Sequence, residues 1–132
     1  MEEKKLFVID THALFWHLVA PERLSPKAQH VFELAYQGGA ILILSPIVLL
    51  ELYGVIRKVN AQIDYNQELS NFVRPPFRVE PITIEDLRLL DALKDIPELH
   101  DRLICATALR LNAPVVTRDP EIRQSTLITS VW

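Results

Sequence analysis

The sequence predicts an α/β protein with a mostly parallel sheet of four to five strands and helices on both faces. Short continuous apolar runs, typical of strands buried on both faces, alternate along the chain with segments of helical spacing. Parallel strands need crossover connections, which helices usually provide. The chain has 132 residues, 49% of them hydrophobic, which fits a single domain over residues 1–132.

Two strands and four helices are predicted before the Pro75-Pro76 pair. In chain order we expect a strand at 6–9, helices at 11–19 and from Ser25-Pro26 to Gly38-Gly39, a strand at 40–44, and helices from Ser45-Pro46 to about 59 and at 65–72. A hydroxyl residue followed by proline is a strong helix start, because the hydroxyl caps the helix and proline fits its first turn. Proline and glycine then mark the helix ends.

Three more strands are predicted in the second half of the chain. We expect strands at 77–82, 114–117 and 127–132, with helices from 83 to about 93, from Asp101 to 111, and a short turn at Asp119-Pro120. Thr83 with Asp86 has the form of a capping box, and Asn112 fits a left-handed helix stop. Proline within the third strand indicates an edge position or the strand's end.

Composition excludes several classes of protein. The lone Cys105 can form neither an internal disulfide nor a cysteine zinc site, so a reducing, cytoplasmic setting is expected. The longest apolar run, 40–50, is well short of a membrane span, and no signal peptide is expected. A net charge of −3 argues against nucleic-acid binding by global attraction, although local binding remains open.

Four acids fall near the predicted carboxyl ends of the strands, where open parallel sheets bind ligands. Asp10 ends the first strand, Asp119 follows the fourth, Asp101 stands at a helix start, and Glu51 lies in the helix after the second strand. Asp10, Asp101 and Asp119 could each be helix caps or turn residues. Glu51 is harder to explain that way, because its helix is apolar on nearly every face and its charge needs a partner.

Four converging carboxylates would repel one another unless a divalent cation neutralised them. Oxygen ligands without a cysteine or histidine cluster favour Mg²⁺ or Mn²⁺ over zinc. Such a cation can activate a water that attacks a phosphodiester and can stabilise the charge that develops on phosphoryl oxygens. This chemistry suits a nuclease, although spacing alone does not establish that the four side chains meet.

The chain resembles the PIN domain nucleases, and among them the VapC toxins of toxin–antitoxin pairs, over nearly its whole length. The resemblance rests on four segments in a fixed order: Val8-Ile9-Asp10-Thr11-His12-Ala13-Leu14-Phe15-Trp16, Ser45 to Leu49-Leu50-Glu51-Leu52, Asp101-Arg102-Leu103-Ile104-Cys105-Ala106-Thr107-Ala108, and Val115-Val116-Thr117-Arg118-Asp119. Each segment alone is a weak motif. In this order and in so short a chain they are specific.

The resemblance implies a PIN-like α/β/α sandwich and an acidic Mg²⁺ or Mn²⁺ site, catalytic and metal-binding at once, formed by Asp10, Glu51, Asp101 and Asp119. It further implies Thr11 and Thr117 as accessory hydroxyls, RNA as the substrate, a homodimer, and a VapB-type antitoxin that inhibits the site. Related sequences often carry a histidine several residues before the third acid, whereas here His100 adjoins it, so His100 receives no role.

Residues beside the acids have two interpretations each. Arg102 and Arg118 flank the acids and could bind phosphates or pair with nearby carboxylates. His12 could contact substrate, but packing or capping is the commoner role so early in a helix. Phe15 and Trp16 are expected to be core or dimer contacts, because they fall on an apolar helix.

The leading hypothesis is therefore a metal-dependent endoribonuclease, and two alternatives belong to other classes. The first is a PIN-like module that binds RNA or protein without turnover; RNA affinity retained in excess chelator would favour it. The second is a phosphatase or phosphoacceptor domain. Phosphatases of this kind usually have a second acid two residues after the first, and His12 occupies that place here.

Overall fold

The computed structural model describes residues 3–132 and contains a parallel sheet of five strands. The strands are β1 (Lys5–Ile9), β2 (Ala40–Leu44), β3 (Phe77–Val79), β4 (Val115–Val116) and β5 (Ser130–Val131). They lie in the order β3-β2-β1-β4-β5, with Phe7 opposite Leu42 and Ile9 opposite Val116. The predicted fold class is confirmed.

Helices connect the strands at the predicted places. They are α1 (Thr11–Val19), α2 (Pro26–Tyr36), α3 (Pro46–Lys58), α4 (Tyr65–Phe72), α5 (Ile84–Arg88), α6 (Leu99–Leu111) and α7 (Pro120–Arg123), and a 3-10 turn at Pro21–Arg23 joins α1 to α2. Ser25 and Ser45 cap α2 and α3 by accepting hydrogen bonds from backbone amides, as their sequence context predicts. Asn112 ends α6 with a φ of 52°, the left-handed stop expected there.

The second half of the chain is less regular than predicted. Strand β3 ends at Val79 rather than 82, and β4 and β5 have two residues each. The fifth helix ends at Arg88, and turns replace the expected helix up to 93. Leu93 and Ile96 are fully buried below these turns, so packing of these two side chains holds a segment that has little regular structure.

Helix α6 starts two residues earlier than predicted. Its cap is Glu98, whose carboxylate accepts the Asp101 backbone amide at 3.0 Å. The expectation that Asp101 opens this helix is therefore wrong. Asp101 lies in the first turn instead, so no capping contact occupies its own carboxylate and it is free for another role.

The core lies on both faces of the sheet. Val8 and Ile9 are consecutive in β1 and have no exposed surface, and 42–44 in β2 are equally buried. Because successive strand side chains point to opposite faces, helices must cover both. This burial fixes the positions of the strand ends. The polar residues that follow β1 and β4 are thereby held in place as well. Within residues 3–132, no helix has the length and apolar character needed to cross a bilayer.

Candidate active site

A cleft of about 580 Å³ opens at the carboxyl edge of the sheet, beside the ends of β1 and β4. The chain proceeds from β1 to β2 on one side and returns to β4 on the other, so the strand order reverses at this point. The residues that line the cleft are Asp10, Thr11, His12, Trp16, Arg23, Glu51, Val55, Asp101, Arg118, Asp119 and Pro120. The fold thus brings all four predicted acids to one cleft.

Asp10 is held at the centre by two short hydrogen bonds. It caps α1, where its Oδ1 accepts the Thr11 amide at 2.7 Å, and its Oδ2 accepts the Thr117 hydroxyl at 2.7 Å. Only 8% of Asp10 is exposed. Burial raises the pKa of Asp10, and the two hydrogen bonds partly oppose that rise because they stabilise the carboxylate.

Glu51 enters from α3 and is partly buried, as its apolar helix predicts. The Thr11 hydroxyl donates to Glu51 Oε1 at 2.6 Å, and His100 Nδ1 lies 3.2 Å from Oε2. The partner that its charge requires is therefore supplied by α1 and α6 rather than by its own helix. His100, which has no role in the sequence interpretation, is a direct neighbour of this acid.

Asp119 and Asp101 complete the acidic group. Asp119 caps α7 by accepting the Glu121 amide at 2.9 Å, and its own amide donates to the Thr117 hydroxyl at 3.0 Å. Carboxylate oxygens of Asp101, Asp119 and Glu121 lie within 4.8 Å of one another. Capping and cleft lining therefore coincide in Asp119, as they do in Asp10, and are not alternatives.

Asp101 lies among acidic neighbours that disfavour its charged form. Burial, followed by repulsion from Asp10 and Asp119 and then from Glu98, raises the pKa of Asp101 to about 8. The protein alone thus does not balance the negative charge of the cleft. An arrangement of oxygen donors with uncompensated charge fits a hard divalent cation.

A second group of possible ligands lies beside the first. Single ligand atoms of Glu51, Glu98 and His100 also come within 4.8 Å of one another. Because Glu51 also lines the acidic cleft, this second group of ligand atoms adjoins the first.

The two arginines singled out from the sequence lie in different places. Arg118 lines the cleft. The Nε–H of Arg102 donates to the Ile96 carbonyl, and Arg102 does not line the cleft. Arg102 therefore ties the segment before α6 to that helix.

The sequence predicts the core role of Trp16 but not its place in the cleft, and it does not predict the role of Arg23. Trp16 packs against Trp132 as a core contact, with ring centroids 5.8 Å apart, but it also forms part of the cleft wall. Arg23 stands in a short polar turn that begins with a helix-ending proline, and no sequence motif includes it. Its position over Trp16 is a tertiary contact that no local pattern predicts.

An acidic cleft at the switch point of a parallel sheet defines an α/β protein with the donor set of a divalent-metal site. The sequence model of the PIN domain family matches residues 7–125. The chain therefore belongs to the PIN domain family, a family of nucleases. No curated protein sequence matches it significantly.

Solved structures support the same fold. VapBC2 from Rickettsia felis, bound to a promoter DNA fragment, is similar with a TM-score of 0.73 and 17% identity, covering 95% of this chain and 96% of that chain. A toxin–antitoxin complex from Klebsiella pneumoniae has a TM-score of 0.64 and 19% identity, covering 96% of each chain. VapC20 from Mycobacterium tuberculosis, a toxin that cleaves the sarcin-ricin loop, has a TM-score of 0.66 and 13% identity, covering 86% of this chain and 90% of that chain.

Proposed function

We propose that the chain is a metal-dependent endoribonuclease, a toxin of the VapC type. The observation that carries the proposal is the convergence of Asp10, Glu51, Asp101 and Asp119 in one cleft, from four separate parts of the fold. The raised pKa of Asp101 supports it, because such a cluster is stable in its charged form only with a cation. Family membership and the toxin structures of the same fold give independent support.

The four acids would hold Mg²⁺ or Mn²⁺, directly or through water. When bound, such a cation lowers the pKa of a water molecule and stabilises negative charge on phosphoryl oxygens. Thr117 has a positioning role: its hydroxyl donates to Asp10 and accepts the Asp119 amide, which fixes two acids relative to each other. Thr11 has a similar positioning role. Its backbone amide donates to Asp10 and its hydroxyl donates to Glu51, which fixes these two acids relative to each other.

We further propose an antitoxin of the VapB type and a homodimer as partners of the chain. Two of the similar structures are toxin–antitoxin complexes, which supports the first partner. Leu50 and Tyr53 are exposed apolar side chains of α3, and such a surface supports the second. Sedimentation of the purified chain should give the mass of two copies.

The test is cleavage of a mixed pool of structured RNAs with Mg²⁺, with Mn²⁺ and with excess chelator. Wild type is compared with Asp101→Asn and with the control Asp91→Asn, which neutralises an exposed acid outside the cleft. We expect wild type and Asp91→Asn to cleave with metal only, and Asp101→Asn to be inactive. Circular dichroism checks that all three are folded.

Two results would contradict the proposal. Full activity of Asp101→Asn would remove the acidic site from the reaction. A folded wild type that cleaves nothing with either metal, yet binds RNA in chelator, would favour the non-catalytic binding module.

A further inference from the structure

One wall of the acidic cleft is basic and aromatic. Trp16 of α1 lies in it with 8% of its surface exposed, and the guanidinium carbons of Arg23 and Arg118 lie over the indole, 5.0 and 5.5 Å from the ring centroid. All three line the cleft, and we term them the arginine–tryptophan wall. They come from α1, from the turn that follows it and from the β4–α7 connection, so only the folded chain assembles them.

The arginines of the wall have no carboxylate partner within residues 3–132. Although four acids line the same cleft and Asp119 adjoins Arg118 in sequence, the ion pairs within 4.0 Å involve other cations. Both arginines are exposed to solvent. The contrast is Arg110, whose guanidinium donates to the carboxylates of Asp86 and Glu80 and to the Pro81 carbonyl.

Stacking on an indole orients a guanidinium without consuming its hydrogen-bond donors. The donors lie in the plane of the guanidinium, so they stay available for a bidentate contact with a phosphate. Both cations line the same cleft, and an anion bound there offsets their positive charge. The wall is thus organised for a phosphate before any ligand arrives.

We infer that Arg23 and Arg118, oriented by Trp16, bind a backbone phosphate of the RNA strand beside the bond that is cleaved. This inference rests on the proposed function, because it places an RNA strand in the cleft. The four acids repel such a strand, and a protein of net charge −3 has no general attraction to offset that. The wall supplies fixed positive charge where the strand enters.

The burial of Trp16 argues against a second use of the wall. With 8% of its surface exposed and Trp132 beside it, the indole has no free face on which a base could stack. Trp16 is therefore a positioning residue that acts through the two arginines. Contacts to phosphate give affinity and register rather than sequence preference.

Binding is measured by fluorescence anisotropy with a fluorescein-labelled single-stranded RNA of mixed sequence, about 12 nucleotides long. Mg²⁺ is present and every protein carries Asp101→Asn, so that the RNA stays intact. Arg23→Gln and Arg118→Gln should each weaken binding roughly tenfold, the effect of losing one charge-assisted contact. Each should also reduce the slope of log Kd against log salt concentration by about 0.7.

The matched control is Arg57→Gln. The Arg57 guanidinium also lies over an aromatic ring, 6.0 Å from the Tyr53 centroid, but it is outside the cleft. We expect no change in affinity or salt slope. Trp16→Leu should weaken binding as the arginine variants do, while Trp16→Phe, which keeps a ring under both guanidiniums, should retain most of the affinity.

Cleavage kinetics separate this inference from the proposed function. With Asp101 intact, the arginine variants should raise KM and leave kcat nearly unchanged. Unchanged affinity and salt slope in both arginine variants would overturn the inference, even if wild type cleaves RNA. Binding that depends on the arginines, in a wild type that cleaves nothing, would support the wall and refute the nuclease.

Discussion

Replacing Asp101 by Asn should stabilise the metal-free protein, although it destroys the proposed active site. The pKa of Asp101 rises from a usual value of 3.8 to about 8 in the folded protein, through burial and then through repulsion by Asp10 and Asp119. Between these two pH values the folded protein holds a proton that the unfolded chain has released. Stability therefore falls as pH rises from about 4 to about 8 and levels off above that. Asparagine cannot ionise, so the variant does not lose this stability.

The size of the effect follows from the two pKa values. Each pH unit between them corresponds to about 1.4 kcal/mol, so a fully desolvated group would give roughly 6 kcal/mol. Asp101 is only partly buried, and solvent screening reduces the expected gain at pH 8 to on the order of 2 kcal/mol. In a chain of this length that is a rise in melting temperature of roughly 5–10 °C.

The assay is thermal unfolding in chelator at several values between pH 4 and pH 9, with Asp91→Asn as the control. The advantage of Asp101→Asn should grow with pH and then level off, and the control should follow wild type throughout. Mg²⁺ should reverse the order, because it stabilises wild type by binding to the folded state. A difference between variant and wild type that does not depend on pH would refute the reasoning.

The remaining predictions concern contacts around the acids. Thr117→Val should lower the free energy of unfolding by about 1–3 kcal/mol, because it leaves a buried oxygen of Asp10 without its donor. Urea denaturation measures this loss, and Thr117→Ser should restore the stability. His100→Gln should weaken Mg²⁺ binding roughly tenfold in calorimetric titrations, since His100 contacts Glu51. His30→Gln, which changes an exposed histidine of α2, should leave Mg²⁺ binding unchanged.

The first half of the fold could be predicted closely from the sequence, for a local reason. Ser25 and Ser45 cap their helices through contacts within three residues, so the chain around them carries its own boundary signals. Val8 and Ile9 of β1 and residues 42–44 of β2 are fully buried, and these parts of the chain are uninterrupted apolar runs. In these elements local preference and tertiary packing agree.

The second half could be predicted less closely because tertiary contacts decide its boundaries. The turns at 89–95 contain helix-forming residues, yet burial of Leu93 and Ile96 sets the path of the chain there. The start of α6 depends on Glu98, a less common cap than the aspartate three residues later. Strand β3 lies at the edge of the sheet and pairs only with β2, over three residues.

The acids of the site could be found from the sequence, whereas their surroundings could not. Asp10 and Asp119 follow strands, and strand ends can be placed from apolar runs. The contacts of Glu51 with Thr11 and His100 join positions 40 and 49 residues apart. Likewise, Arg23 reaches the cleft only because a 3-10 turn folds back on α1.

Asp10 and Asp119 each cap a helix and line the cleft, and this combination affects how an inactive relative of this protein could be recognised. Each caps a helix, so selection for folding alone would preserve them after catalysis had been lost. Asp101 caps nothing, and its charge destabilises the metal-free fold, so mutation would remove it early. Among relatives, the presence of Asp101 should therefore distinguish active enzymes from inactive ones better than the presence of Asp10.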